Sequence, residues 1–146
     1  MYPYQMNDGQ PDCRYVALPV CEPDVGAAPG SPINALALFE IRLRDSLDFT
    51  VDFSVWLGAN GPAQLSAATW AAASGSPKVP TIIGQAFSPA GRVTAVISPG
   101  AGAAIGDTYW MDITATVAAT TAVNPNDVAL PARTLTRRVN IIVVNG

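Results

Sequence analysis

Residues 47–57 alternate between apolar and mostly polar side chains, and this run constrains the fold more than any other feature of the chain. One phase is wholly apolar and consists of Leu47, Phe49, Val51, Phe53, Val55 and Leu57. The other phase holds Asp48, Thr50, Asp52, Ser54 and Trp56. Because successive side chains of a β-strand point to opposite faces, the run predicts a strand with one face on a core and the other on solvent or on a partner.

Further alternations recur through the rest of the chain, separated by turn-forming residues about every ten positions. They cover residues 37–44, 65–70, 81–87, 92–98, 107–120 and 133–144. Residues 33–44 also contain good helix formers, but a strand is favoured there because the alternation continues past the turn at Asp45. About seven short strands with almost no helix predict an all-β fold, and we expect an immunoglobulin-like antiparallel β-sandwich.

Residues 1–34 differ from the rest of the chain and predict an extended, Pro-rich N-terminal arm, followed by the β-sandwich domain over residues 35–146. The arm holds six of the thirteen prolines and has little periodicity. Proline fixes φ and removes a donor that a strand needs. The arm also carries Tyr2, Tyr4, Tyr15 and Leu18, which make it too apolar for a solvated tail. We expect these side chains to lie along a partner; packing on the arm's own domain and disorder are the alternatives.

The composition predicts a weakly charged surface. Apolar residues make up 49% of the chain and charged residues 13%, against roughly 25% charged in an average soluble protein. Much of the exterior must therefore consist of Ala, Thr, Ser, Gly and Pro. Such a surface is common in proteins that are covered by neighbours in an assembly.

Several classes of function are not expected. The net charge of −3 and the short arginine cluster near residue 137 give no basic field for nucleic acid. No apolar run approaches the roughly 20 residues that span a bilayer, and residues 1–9 do not read as an export signal. The chain has no histidine, and Asp48 and Asp52 are best explained as residues that keep a strand face soluble. We predict no catalytic, cofactor or metal site, and therefore not an enzyme.

Cys13 and Cys21 are the two cysteines of the chain, and both lie in the arm. Without histidine or further cysteine, a tetrahedral zinc site within one chain is not expected. Two interpretations stay open. The cysteines are unpaired thiols of a protein made in the cytosol, or they form a disulfide that closes a small loop or links subunits after release from the reducing cytosol.

Residues 99–106 form a Gly-Ala segment that superficially looks like a phosphate-binding loop. Neither a helix nor the lysine of a P-loop follows, and the next element is a predicted strand. The segment is therefore predicted to be a hairpin connection.

Trp56 and Trp110 fall in the polar phases of their predicted strands. We expect them to be half-buried under loops, under the arm or under a neighbouring subunit, which makes them candidate interface residues. An aromatic platform that binds carbohydrate is the alternative.

Taken together, the segments resemble those of a group of small proteins encoded among the structural genes of tailed bacteriophages. The resemblance rests on an Asp-rich alternating strand, a short strand ending in Trp, a long valine strand, a glycine-rich loop, a strand with Tyr and a final Arg-containing strand. The corresponding segments are residues 47–57, 65–70, 92–98, 99–106, 107–117 and 133–144. The chain departs from the group in an insertion over residues 122–132 and in a longer arm that contains both cysteines.

Members of this group are similar to immunoglobulin-like virion components that decorate or cement heads or lie near the head-tail junction. The resemblance therefore implies a bacteriophage virion structural protein, with capsid decoration or cement as the first hypothesis. The implied partners are the major capsid protein or a connector, together with other copies of the chain in a homo-oligomer or lattice. The implied location is the virion, assembled in the host cytoplasm. A carbohydrate-binding adhesin domain on a virion surface and a head-tail connector or tail component are the alternatives.

Overall fold

The computed structural model describes residues 14–18, 35–59, 63–120 and 128–145. Within these residues the chain forms eight β-strands and one short helix. The strands are β1 (Tyr15–Ala17), β2 (Leu38–Arg42), β3 (Leu47–Asp52), β4 (Leu65–Ala72), β5 (Thr81–Phe87), β6 (Arg92–Ser98), β7 (Thr108–Val117) and β8 (Arg133–Val144). The helix, α1 (Ser54–Ala59), follows β3.

The strands form two four-stranded sheets that pack face to face. Sheet A has the order β1-β3-β6-β5, and sheet B has the order β2-β8-β7-β4. The predicted all-β sandwich is thus confirmed. The sheets are mixed, however, because β1 runs parallel to β3 and β2 runs parallel to β8.

The core lies between the sheets and is built from the apolar phases of the alternating strands. Its members with 1% exposure or less include Ile41, Phe49, Val51, Val93, Ala95, Ile97, Tyr109, Met111, Ile113, Ala115, Val139, Ile141 and Val143. Phe39 of sheet B and Phe49 of sheet A stack across the interface, with ring centroids 5.2 Å apart. In β7 every second residue is buried, as a period of two requires of a strand with one face on a core.

The prediction of a single strand over residues 47–57 is wrong beyond Asp52. The Phe53 amide donates to the Gly91 carbonyl at 2.8 Å, and the chain then turns into α1. Phe53 and Leu57 are nevertheless both buried, at 0% and 4% exposure. Their spacing of four positions suits one face of a helix as well as one face of a strand, so the alternation alone could not show where the strand ends.

Gly91 explains why the chain can turn so sharply after β3. Its φ is +127°, and a Cβ atom placed on it would lie 2.7 Å from the Ser54 amide nitrogen. Any other residue would clash with the start of α1 and would also adopt a strained backbone. The close approach of the two segments thus depends on glycine.

The prediction of a hairpin at residues 99–106 is also wrong. This segment connects β6 of sheet A to β7 of sheet B, so it crosses between the sheets. Its path is fixed by the Gly106 amide, which donates to the Val143 carbonyl of β8 at 2.8 Å. A strand-loop-strand pattern shows that a turn exists but does not show whether the next strand stays in the same sheet.

The edge strands β4 and β5 face each other across the sandwich and are tied by one side chain. The Trp70 amide donates to Gln85 Oε1 at 2.7 Å, and Gln85 Nε2 donates to the Trp70 carbonyl at 3.4 Å. Gln85 therefore satisfies both backbone groups of Trp70 on the free edge of sheet B. Both strands also contain a register shift, between Leu65 and Ala67 in β4 and between Ile82 and Gly84 in β5.

Candidate functional site

The described part of the arm is a strand of the sandwich. β1 lies at the edge of sheet A, where Tyr15, Val16 and Ala17 pair with Thr50, Val51 and Asp52 of β3. We call residues 14–18 the arm strand. In a single chain the arm strand packs on its own domain, which was one of the alternatives for the arm.

Both ends of the arm strand are fixed. Leu18 is 5% exposed and belongs to the core, and its amide donates to the Asp52 carbonyl at 3.1 Å. At the other end, Arg14 Nε donates to the Asp48 carbonyl at 3.1 Å, and Arg14 forms an ion pair with the Asp48 carboxylate at 3.5 Å. Leu18 is therefore an anchor within the molecule, whereas the Arg14 pair lies closer to solvent.

A buried carboxylate holds the middle of the arm strand. Asp52 is 7% exposed and accepts a 2.5 Å hydrogen bond from the Tyr15 hydroxyl and a 2.9 Å hydrogen bond from the Ser54 amide. Arg92 Nε lies 3.8 Å from the carboxylate, and its guanidinium lies 5.7 Å from the centre of the Tyr15 ring. We call Tyr15, Asp52 and Arg92 the Asp52 latch. The latch joins the arm strand, the end of β3 and the start of α1 at one point.

These contacts lower the pKa of Asp52 and raise the pKa of Tyr15. Both shifts favour the hydrogen bond that the Tyr15 hydroxyl donates to the ionised Asp52 carboxylate. Burial by itself raises the pKa of Asp52. The hydrogen bonds from Tyr15 and Ser54 and the charge of Arg92 outweigh burial, so the pKa lies below its ordinary value of 3.8. Burial, followed by the hydrogen bond to Asp52 and the charge of that carboxylate, raises the pKa of Tyr15 from 10.0 to about 12.

We expect the latch to stabilise the arm strand across a wide pH window. The lowered pKa of Asp52 gives stability that is present above 3.8 and is lost as the pH falls through the folded-state value. The raised pKa of Tyr15 gives stability that is complete below 10.0 and is lost as the pH rises towards about 12. The tyrosinate absorbance of the wild type minus that of Tyr15→Phe should titrate near 12. Titration of Tyr15 at the ordinary value of 10.0 would contradict the latch.

The other predicted interface residues do not join this site. Tyr2, Tyr4, Cys13 and Cys21 lie outside the described residues. Trp56 belongs to α1 instead of a strand, and its ring packs edge-on against Phe53 with centroids 6.4 Å apart.

Trp110 is half-buried on the outer face of sheet B, as the sequence predicts. The loop after β4 lies against it, since a Cβ atom placed on Gly75 would lie 3.9 Å from Trp110 Cζ3. The loop is held by the Trp110 amide, which donates to Ser76 Oγ at 2.9 Å, and by the Ala73 amide, which donates to the Trp110 carbonyl at 2.7 Å. The Arg138 guanidinium lies 5.5 Å from the centre of the ring. Arg138 is held there by Asp112, whose two carboxylate oxygens accept hydrogen bonds of 2.9 and 3.3 Å.

A patch of short, uncharged side chains lies on the outer face of sheet B beside this cluster. The strand register places Thr69, Thr114 and Thr136 in one row and Ala67, Thr116 and Thr134 in the next. We call these six residues the threonine face. Hydroxyls in the two rows pair across β7 and β8, at 3.1 Å between Thr114 and Thr136 and at 3.5 Å between Thr116 and Thr134.

Sequence reasoning missed the threonine face, although the chain carries a signal for it. A Thr-x-Thr repeat occurs in each of two predicted strands, at 114/116 and at 134/136. In a strand this spacing places both hydroxyls on one face. What the sequence could not show is that β7 and β8 are neighbours in register.

Large apolar side chains are exposed at several places on the described surface. They are Tyr15, Leu38, Leu43, Val79, Ile83, Phe87, Ile105 and Val128. Three of them lie in or next to the edge strand β5, of which only Ile82 is less than exposed. Single exposed apolar residues are ordinary, but a whole edge strand with apolar side chains is a candidate contact surface.

Three of the carboxylates on the strands take structural partners. Asp48 pairs with Arg14, Asp52 lies in the latch, and Asp112 pairs with Arg138. Among the described residues there is no group of three or more side chains that could hold a metal ion. In the same part of the chain, no helix is long and apolar enough to cross a membrane.

Comparison with known proteins gives no relative from which a role could be transferred. No protein family, curated protein or solved structure matches this chain.

Proposed function

We propose that the chain is a non-enzymatic structural protein of a bacteriophage particle, which docks on the head lattice through its arm and its sandwich faces. The observation that carries the proposal is the threonine face. Its six side chains are short, uncharged and arranged in register on three neighbouring strands. Covering such a patch removes no charge from water and immobilises little side-chain freedom.

The strand order supports an immunoglobulin-like topology for this proposed virion component. In that topology, strands A, B, E and D form one sheet and strands C, F and G form the other. Here β3, β6 and β5 follow the order B-E-D, and β8, β7 and β4 follow the order G-F-C. Trp70 lies in β4, the counterpart of strand C, and is buried. Strand C is where immunoglobulin domains carry a core tryptophan.

The proposed docking uses many weak contacts. The threonine face is two rows of three residues, which is far smaller than the roughly 800 Å² that each partner buries in a stable complex. One such contact would not hold two proteins together. Symmetry in a lattice repeats the contact, and linked copies gain avidity without any single strong site.

The major capsid protein or a connector is the proposed partner class, because both present repeated copies of one surface. The surroundings of Trp110 and Trp56 do not favour a carbohydrate-binding role. Arg138 lies over the Trp110 ring, and the Trp56 ring packs edge-on against Phe53, so each of the two rings already contacts a side chain of its own domain.

Charge placed on the threonine face should block incorporation into particles. We expect the double variant Thr134→Lys with Thr136→Lys to fold normally and to be at least about tenfold depleted in purified phage particles, since two ammonium groups would need desolvation at each contact. The measurement is quantitative mass spectrometry of particles from an infection that supplies the tagged variant.

The matched control is Ala101→Lys with Ala104→Lys, which places two lysines on exposed positions of the connection between β6 and β7, away from the threonine face and from β5. This control should be incorporated as well as the wild type. Equal incorporation of the two double variants would remove the threonine face from the proposal. Absence of the wild-type protein from purified particles would refute the virion role itself.

A further inference from the structure

The arm strand ends close to the point where the next strand begins. β2 and β3 are joined by a tight turn, in which the Asp45 amide donates to the Arg42 carbonyl at 3.0 Å. The two strands therefore run in opposite directions, so β3 ends at the end of the sandwich where β2 begins. Because β1 is parallel to β3, the arm strand ends at that same end. Stacked sheets lie about 10 Å apart, a distance that about four extended residues can cover.

The chain between these two points is much longer than the fold requires. Residues 19–34 separate the arm strand from the segment that leads into β2. A chain of that length can reach about 50 Å when extended, whereas a domain of this size has a radius of gyration of about 15 Å. The length is thus sufficient to carry an arm strand to an adjacent molecule.

The groove that receives the arm strand is unfavourable when empty. Without the arm strand, the apolar site that holds Leu18 at 5% exposure would be open to water. The Asp52 carboxylate would lose the hydrogen bond from Tyr15, and the pairing edge of β3 would be free. Each loss favours occupation of the groove.

We propose that the groove accepts the arm strand of a second copy of this chain, so that neighbouring copies exchange arm strands. The occupant is defined by the contacts already described. Arg14 pairs with Asp48, Tyr15 donates to Asp52, and Leu18 fills the core site. An identical segment from another copy makes the same contacts, and exchange of an identical element is a low-cost route to association.

Because the contacts are the same within and between molecules, concentration decides which arrangement predominates. The covalent connection through residues 19–34 gives a molecule's own arm strand an effective concentration in the millimolar range. Dilute protein is therefore monomeric with its own arm strand in place. In a lattice, neighbouring copies reach similar local concentrations, and exchange links them.

The test uses two full-length proteins, Val16→Cys and Val51→Cys, each with Cys13→Ser and Cys21→Ser. Val16 and Val51 are register partners in β1 and β3, at a spacing that a disulfide can bridge. Each protein has a single cysteine, so a disulfide between positions 16 and 51 can form only between molecules. We mix the two in a glutathione redox buffer, with an affinity tag on one, and quantify the covalent heterodimer.

The control replaces the second protein by Leu38→Cys, whose cysteine would lie on exposed β2 of the other sheet. We expect at least about tenfold more heterodimer with Val51→Cys than with this control. A yield no higher than the control overturns the inference.

A charge reversal distinguishes exchange from disulfides that form by random collision, because only exchange brings positions 14 and 48 of different molecules together. Arg14→Asp on the Val16→Cys chain and Asp48→Arg on the Val51→Cys chain place like charges together within each molecule, but opposite charges together after exchange. The heterodimer should rise about two- to fivefold, and no rise contradicts exchange. If Val51→Cys fails to fold, the charge-reversed pair without cysteines carries the test at millimolar protein, which matches the effective concentration of the own arm strand. Small-angle X-ray scattering should then show heterodimer, and monomer alone overturns the inference.

The inference deepens the proposed function and rests on it for the setting in which exchange would occur. The two can fail separately. Absence of the protein from particles would refute the virion role, whereas absence of heterodimer from purified protein would refute exchange.

Discussion

Trp70→Ala is expected to lower the free energy of unfolding by about 4–5 kcal/mol. Trp70 is a large core residue with 2% exposure on β4 of sheet B. Its indole Nε1 donates to the Val93 carbonyl of β6 in sheet A at 3.1 Å. The substitution therefore opens a cavity between the sheets and leaves a buried carbonyl without its donor. Urea unfolding followed by far-ultraviolet circular dichroism measures the loss.

The matched control is Trp70→Phe, which keeps an aromatic ring in the core but removes the indole N–H. We expect this variant to lose about 1–2 kcal/mol, clearly less than the alanine variant. Domains of this kind have a total stability of about 5–15 kcal/mol, so the alanine variant should be partly unfolded at moderate temperature. A loss below about 1.5 kcal/mol for Trp70→Ala would show that the two sheets do not depend on this residue.

Asp52→Ala is expected to lower the free energy of unfolding by about 2–4 kcal/mol and to release the arm strand. The substitution removes the acceptor of the Tyr15 hydroxyl and of the Ser54 amide together. Urea unfolding measures the stability. Trypsin measures the release, because the bond after Arg14 lies in the arm strand and should be cleaved faster once that strand leaves β3.

Two further variants separate the hydrogen bonds of Asp52 from its charge. Arg92→Ala removes a cation that lies 3.8 Å away and is 69% exposed, so its effect should stay below about 1 kcal/mol. Asp52→Asn keeps an acceptor for Ser54 but weakens the bond from Tyr15, and should lie between the other two. Unchanged trypsin cleavage after Arg14 in Asp52→Ala would show that Leu18 alone holds the arm strand.

The sandwich could be predicted from the sequence because its core strands alternate strictly. For β8 the predicted bounds agree with the observed ones, whereas β7 ends three residues before the predicted residue 120. In both strands the period of two places the apolar phase on the core, and no helical period competes with it. The start of α1 could not be predicted, because Phe53 and Leu57 suit both periods. It depends on the close approach of Gly91, a contact between segments that are far apart in sequence.

The candidate site was harder to predict from the sequence than the fold. Tyr15 and Leu18 stand out as apolar residues in a Pro-rich arm, but a three-residue strand is too short for its periodicity to be recognised. The role of Asp52 depends on the hydrogen bonds that it accepts from Tyr15 and Ser54. In the sequence, Asp52 cannot be distinguished from a carboxylate on the solvent face of a strand. The threonine face likewise exists only because β4, β7 and β8 lie side by side in register.

The register shifts in β4 and β5 bear on what crowding would do to this protein. A long, regular, apolar rim can template a strand from another molecule and start amyloid growth. Here each of these two rims is interrupted by an irregularity, and Gln85 occupies the backbone groups at Trp70. We therefore expect these two edge strands to resist intermolecular strand pairing, and with it fibril growth, even when many copies are concentrated in a small volume.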